Sequence, residues 1–289
     1  MRNLILLVLI IFAQTGVSQP ELSDSSGLAG FMDGMIQTHL ESRHIAGATV
    51  TIVRDRNVIF SKGYGYADIE GSRKVDPDRT LFRIGSISKL FVWTAVMQLY
   101  EQDKLELDVD VNRYLEDFKL PDTYTDPVTL KDIMTHTAGF EDYILGLFAK
   151  DPNALRPLEE ILKKQMPARI RAPERLASYS NHATGIAACI VEQISGQSWN
   201  EYVEEHILDT LNMNHTTFRQ PVPQNFKSNL SKGYKLRNGE LKEQYFEYIP
   251  LAPVGAASST ASDMAKFMMA HMQMGTYKGH TILDSTTAE

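Results

Sequence analysis

The stretch Gly85-Ser86-Ile87-Ser88-Lys89-Leu90-Phe91-Val92-Trp93-Thr94-Ala95-Val96-Met97-Gln98-Leu99-Tyr100 decides how this chain folds. Its middle leaves almost no polar face, and a helix that is apolar all round belongs at the centre of a protein. The pattern therefore predicts a central helix from Ser86 to about Leu105. The first turn carries Ser86 and Lys89 in Ser-x-x-Lys spacing, which sets both side chains on one helical face. A serine hydroxyl becomes a useful nucleophile only when a neighbouring base takes its proton, and burial in apolar surroundings pushes a lysine toward its neutral, basic form. The amide groups at a helix N-terminus favour negative charge developing on the serine or its substrate. A blander assignment also fits the four residues alone, with Ser86 as a helix cap and Lys89 as an ordinary first-turn lysine.

On the N-terminal side, Leu28 to Ile45 spaces Phe31, Met35, Ile36 and Leu40 at helical intervals. Gly47 to Val53 is rich in β-branched residues and resumes at Asn57 to Phe60 after the polar turn Arg54-Asp55-Arg56, which predicts a β-hairpin. Thr80 to Ile84 reads as a short strand leading into the serine. On the C-terminal side, a proline-punctuated helical region precedes a helix over Asn181 to Ser195, with Ala183, Ile186, Ala187, Ile190, Val191 and Ile194 on one face. Trp199 to Leu211 continues helical, and Gly233 to Tyr245 suggests short strands. A last helix over Thr260 to Met274 has Thr260 as its cap and Asp263 at the capping-box position. This order predicts an α+β fold, an antiparallel sheet carrying an inserted helical lobe, rather than alternating βαβ units.

Tyr179-Ser180-Asn181 falls on a loop opening the Asn181–Ser195 helix, where functional residues concentrate. A tyrosine hydroxyl can relay a proton, and a cationic neighbour would lower its pKa. Asn181 offers both a donor and an acceptor, suited to gripping a substrate amide and holding Lys89 in place. Gly85-Ser86-Ile87-Ser88-Lys89, then His136-Thr137-Ala138-Gly139-Phe140, then Tyr179-Ser180-Asn181, in that order and separation, resembles the β-lactamase-related serine hydrolases. That family includes class C β-lactamases, D-alanyl-D-alanine carboxypeptidases and esterases. Ser195-Gly196-Gln197-Ser198-Trp199, Leu211-Asn212-Met213 and Gly255 to Met264 extend the resemblance, which covers about Ile45 to Leu283.

The resemblance implies an acyl-enzyme mechanism. Ser86 would attack a carbonyl, Lys89 and Tyr179 would share acid–base work, and Asn181 would bind the acyl side-chain amide. The Ser86 backbone N–H would supply one oxyanion donor. Substrates of the family include β-lactams, peptidoglycan peptides ending in D-amino acids, and small esters. A non-catalytic penicillin- or peptide-binding sensor with the same fold is the alternative. Three departures stand out. Glu174 replaces the glycine usual after Pro173, and His182-Ala183 replaces a commoner residue followed by glycine; His182 is expected on the helix surface. The family's third motif, Lys/His-x-Gly, is not found, because His280-Thr281-Ile282 lacks the glycine. The C-terminal strands that complete the family's sheet are also missing, so the chain reads as truncated, with an unpaired sheet edge. A membrane contact could come only from a segment beyond Glu289.

Composition limits the remaining classes. The chain has 289 residues, 43% of them hydrophobic, and a net charge of −7 without a cationic stripe, which argues against a nucleic-acid partner. Residues 1–19 have a short basic start, an apolar run from Leu4 to Ala13 and a small-residue end, the pattern of a secretory signal peptide, so residues 20–289 form the hydrolase domain and a periplasmic or secreted location is expected. Cys189 is the single cysteine, which excludes an internal disulfide, and it sits in an apolar helical stretch. No His, Asp, Glu or Cys set has metal-ligand spacing, so neither metal nor cofactor is expected.

Overall fold

The computed structural model describes residues 25–142 and 146–289, and the expected leader over residues 1–19 lies outside them. Helix α1 (Ser25–Arg43) precedes an antiparallel sheet of β1 (Gly47–Arg54), β2 (Asn57–Asp68) and β3 (Arg73–Lys74), in the order β1-β2-β3. The β1–β2 turn closes on Asp55 and Arg56, both at positive φ (50° and 65°), as a tight hairpin matched to strand twist requires. On α1 the buried residues are Leu28, Met32 and Leu40, four or eight positions apart, whereas Phe31 is 66% and Met35 37% exposed. The face expected from Phe31 and Met35 is therefore rotated by one position. The rotation follows from Asp33, whose carboxylate accepts from Lys62 Nζ (2.7 Å) and from the Tyr64 hydroxyl (2.8 Å) on β2.

The short strand β4 (Phe82–Arg83) leads to Gly85, whose left-handed φ of 56° starts a 3-10 turn over Gly85–Ser88. Helix α2 (Lys89–Glu101) continues from that turn. The central helix thus starts as a tighter spiral and ends earlier than expected, and Ile87, Leu90 and Tyr100 remain about half exposed. Its other faces are buried as the composition demands, with Phe91, Val92, Ala95 and Val96 fully enclosed.

The helical lobe comprises α3 (Leu130–Met134), α4 (Leu158–Lys164), α5 (Asn181–Ser195) and α6 (Trp199–Val203). Helix α5 packs on α2 and is buried from His182 through Val191, including Cys189. Ser180 caps it by accepting from the Ala183 N–H, and Gly196 ends it at a left-handed φ of 72°. After α6 the helix widens to a π turn over Glu204–Leu208. Beyond lie α7 (Gln224–Lys227), the hairpin β5 (Gly233–Arg237) and β6 (Glu240–Gln244), and β7 (Ser258–Ser259), which pairs with β4. Helix α8 (Ala261–Met272) packs on β1 and is followed by a short hairpin, β8 (Thr276–Tyr277) and β9 (His280–Thr281), and by α9 (Ser285–Ala288). The architecture is the expected α+β arrangement, with β1 paired on one side only among the described residues.

Two interactions join these parts. Phe91 on α2 stacks on Phe267 of α8 (4.3 Å between centroids) and meets Phe218 edge-on at 5.4 Å, and Phe218 in turn meets Trp199 of α6. Thr260 caps α8 as expected, but the Asp263 carboxylate does not close a capping box. It turns instead to the His215 N–H (2.7 Å), the Thr216 hydroxyl (3.0 Å) and Lys266 Nζ (2.8 Å), which pins the preceding loop to the helix.

Replacing Phe91 by alanine removes the ring on which α2, α6 and α8 converge, and should lower unfolding free energy by about 3–5 kcal/mol, read as a reduced urea midpoint at unchanged slope. Glu174 holds a φ of 61°, where a glycine carries no side-chain penalty, and its side chain is exposed. Glu174→Gly should therefore leave stability unchanged or raise it by up to about 1 kcal/mol, against the usual loss on introducing glycine, in the same denaturation assay.

Candidate active site

Ser86 occupies the 3-10 turn and caps nothing: the cap position is Ile84, and no side chain bonds the turn's amides. Its hydroxyl is instead the meeting point of two side chains. Lys89 Nζ lies 3.1 Å from Ser86 Oγ, and the Tyr179 hydroxyl donates to the same oxygen at 2.8 Å. The 3-10 geometry favours this approach, because residues three apart eclipse one another in that spiral.

Lys89 is 3% exposed. Its second partner is the Val254 carbonyl at 2.9 Å, and its ammonium sits 4.8 Å from the centre of the Tyr179 ring. The Val254 segment is held in place by Ser88, whose hydroxyl accepts from the Ala257 N–H, and by the Ile84 N–H bond to the Ala257 carbonyl. Burial lowers the Lys89 pKa to about 8, and the Asp142 carboxylate opposes that shift. At pH 7 roughly a tenth of such a group is the neutral amine.

Tyr179 is delivered by two adjoining backbone segments. The Ile170 N–H bonds to the Gly139 carbonyl, the Ser178 N–H to the His136 carbonyl, and the Glu141 N–H to the Ala168 carbonyl. Gly139 has a φ of 80°, and a Cβ there would lie 2.1 Å from the Arg171 carbonyl oxygen, so this close pairing requires glycine. His136 lies against the Tyr179 ring (4.5 Å) and accepts from the Ser180 N–H through Nδ1 at 3.4 Å. The expectation that a cation would lower the Tyr179 pKa is overturned. Desolvation dominates and raises it, with the Ser86 hydrogen bond opposing and Asp142 adding to the rise, so the phenol keeps its proton.

Asn181 occupies the first turn of α5, beside Tyr179 in sequence. It makes no hydrogen bond to Lys89 among the described residues, so the expected role of holding that lysine falls to Val254. Both its N–H and its Nδ2 group donate to Asp142 Oδ1, each at 3.4 Å. Asp142 is the charged group that sequence reasoning missed: the Glu141-Asp142 pair after Phe140 carries no motif, and only the fold brings the second of these carboxylates to Asn181. His182, expected on the helix surface, is buried against the Phe140 ring, and desolvation lowers its pKa to about 4. His280 and Thr281 form an exposed strand on the β8–β9 hairpin. A cavity of about 850 Å³ lies elsewhere, between the start of β1 and the β5–β6 hairpin.

The beta-lactamase family model matches residues 32–289. The chain belongs to the beta-lactamase family. It is similar to protein flp of Staphylococcus aureus strain MW2, at 30% identity over 209 residues, 71% of this chain and 41% of that protein. It is also similar to the putative penicillin-binding protein PbpX of Bacillus subtilis strain 168, at 29% identity, covering 80% of this chain and 56% of that one. It therefore spans about half the length of these curated relatives. Among solved structures, the octameric penicillin-binding protein homologue from Pyrococcus abyssi matches with a TM-score of 0.77 and 26% identity, over 90% of this chain and 59% of that one. Membership places the protein in the β-lactamase and penicillin-binding hydrolase superfamily.

In this beta-lactamase-family chain the Lys89 amine should titrate with a midpoint near 8 when followed by NMR in lysine-labelled protein. Asp142 raises that value, so Asp142→Asn should move the midpoint to lower pH.

Proposed function

We propose that the protein is an exported serine hydrolase that forms an acyl-enzyme at Ser86 on a β-lactam, a D-amino-acid peptide or a small ester. The observation that supports it is the convergence of Lys89 Nζ and the Tyr179 hydroxyl on Ser86 Oγ, at 3.1 and 2.8 Å. Both distances lie within reach for proton transfer. The leader pattern of residues 1–19 supports export.

The division of labour follows from the environments. Lys89, with its lowered pKa, is the resting base in its neutral form, and Tyr179, with its raised pKa, is the proton relay. Ser86 Oγ adds to the substrate carbonyl carbon as its proton passes to Lys89. The Ser86 backbone N–H donates to the resulting oxyanion. Collapse of this intermediate breaks the bond to the leaving nitrogen or oxygen, which takes its proton from the Lys89–Tyr179 pair. Water then adds to the acyl-enzyme, giving up a proton to the same pair, and Ser86 leaves with that proton as the acid product departs. Asn181 orients the acyl side chain.

A fluorophosphonate or a fluorescent penicillin should label the protein covalently, and Ser86→Ala should abolish the label; undiminished labelling of that variant would overturn the assignment. The labelling rate should rise with pH through about 8 as Lys89 loses its proton, and Lys89→Ala should reduce it by about 100- to 10,000-fold.

A further inference from the structure

We propose that Asp142 is a specificity residue that selects acyl groups bearing a free ammonium, as in aminoacyl esters and peptides with an unblocked amino end, over their N-acylated counterparts. This rests on the reading of Ser86 as nucleophile and names the substrate class for that site.

The argument begins with the acceptors beside Tyr179. Asp142 Oδ1 receives two long bonds from Asn181, one from the backbone N–H and one from Nδ2. Asp142 is exposed, and Oδ2 has no hydrogen-bond partner among the described residues. With Nδ2 drawn toward the carboxylate, the carboxamide oxygen of Asn181 is left as a second acceptor. A neutral acyl amide presents one N–H to such a pair, whereas an ammonium presents three donors and a charge.

Charge balance points the same way. Among the described residues, Asp142 is the one carboxylate whose field reaches Lys89, His136 and Tyr179 together. In the reactive state Lys89 is neutral, Tyr179 holds its proton, and His136, lowered by burial and by Lys89, is the neutral imidazole above pH 7. Asp142 then carries the remaining charge of this group, and it is negative. A cationic acyl group is attracted and an anionic one repelled. For an aminoacyl ester, Ser86 Oγ bonds to the carbonyl carbon, the bond to the alcohol oxygen breaks, and the alcohol leaves with the proton from the Lys89–Tyr179 pair. Water releases the amino acid with its ammonium intact.

The experiment compares kcat/KM for the methyl esters of D-alanine and N-acetyl-D-alanine in the wild-type chain and in Asp142→Asn, with fluorophosphonate labelling of Ser86 run alongside. The wild type should prefer the free amine by at least about fivefold, equivalent to about 1 kcal/mol. The preference should fall toward unity in Asp142→Asn. Because Lys89, His136 and Tyr179 act on both esters, their titration cancels in the ratio. In the wild type the ratio should therefore drop as pH rises through the substrate amine's own pKa, about 8. This arm needs no variant, so it stands even if Asp142→Asn folds poorly. A ratio near one, or one constant from about pH 6 to 9, overturns the proposal while Ser86 labelling leaves the hydrolase reading intact. Labelling without turnover of the amino ester also overturns it. Failure to label Ser86 at all removes the hydrolase reading, and this one with it.

Discussion

A lysine side chain can be taken out of water only if its ammonium finds partners, and the two that Lys89 finds are both uncharged oxygens. The Val254 carbonyl and Ser86 Oγ accept from two of its three N–H groups without neutralising its charge. A carboxylate in direct contact would hold the amine protonated and remove it as a base. The nearest influence of that kind, Asp142, acts through space with no ion pair formed. The cost of this burial is carried by the surrounding structure. Apolar α2 excludes water from one side, and the segment from Val254 to Ala257 is anchored by its bonds to Ser88 and Ile84 on the other. Ser88, the second serine of the turn, is thus structural, fully buried and bonded to the Ala257 N–H just ahead of β7.

The opposite wall has a different character. Tyr179 is 44% exposed, and its position depends on backbone pairing rather than on enclosure. Gly139 lets the His136–Glu141 segment lie close against Arg171, and His136 then supports the phenol ring from below. One partner of Ser86 is therefore fixed by burial and the other by a pair of loops. Their environments push the two pKa values apart, the lysine down and the tyrosine up. That separation assigns a base and an acid to groups that otherwise titrate close together.

How far the sequence discloses this depends on the range over which each feature is determined. Helix α5 was legible to its boundaries, because Ser180 and Gly196 are local signals that need no distant partner. The Ser86–Lys89 proximity was legible for the same reason, being a spacing within one turn. The faces of helices were less so. On α1, Asp33 reaching to β2 turns the helix one position from its apparent apolar face, and at His182 burial follows from Phe140, which lies 42 residues away in the chain. Asp263 sits where a capping box would use it, yet three donors from elsewhere outcompete that role. Asp142 was invisible because its significance lies wholly in tertiary approach. The sign of the Tyr179 shift was misread since a neighbouring cation is evident from a motif, whereas desolvation is not.

The through-space position of Asp142 has a further consequence under the proposed specificity. Its charge raises the Lys89 pKa in the empty site, which keeps most of the amine protonated at neutral pH. An ammonium brought against Asp142 cancels much of that field and adds a positive charge near Lys89. Both effects favour loss of the lysine proton. The bound substrate would then generate the base that activates Ser86 against it, and an N-acylated ester would leave Lys89 as it is in the free enzyme. Recognition and activation would thereby act through one carboxylate, placed close enough to influence the lysine and too far to pair with it.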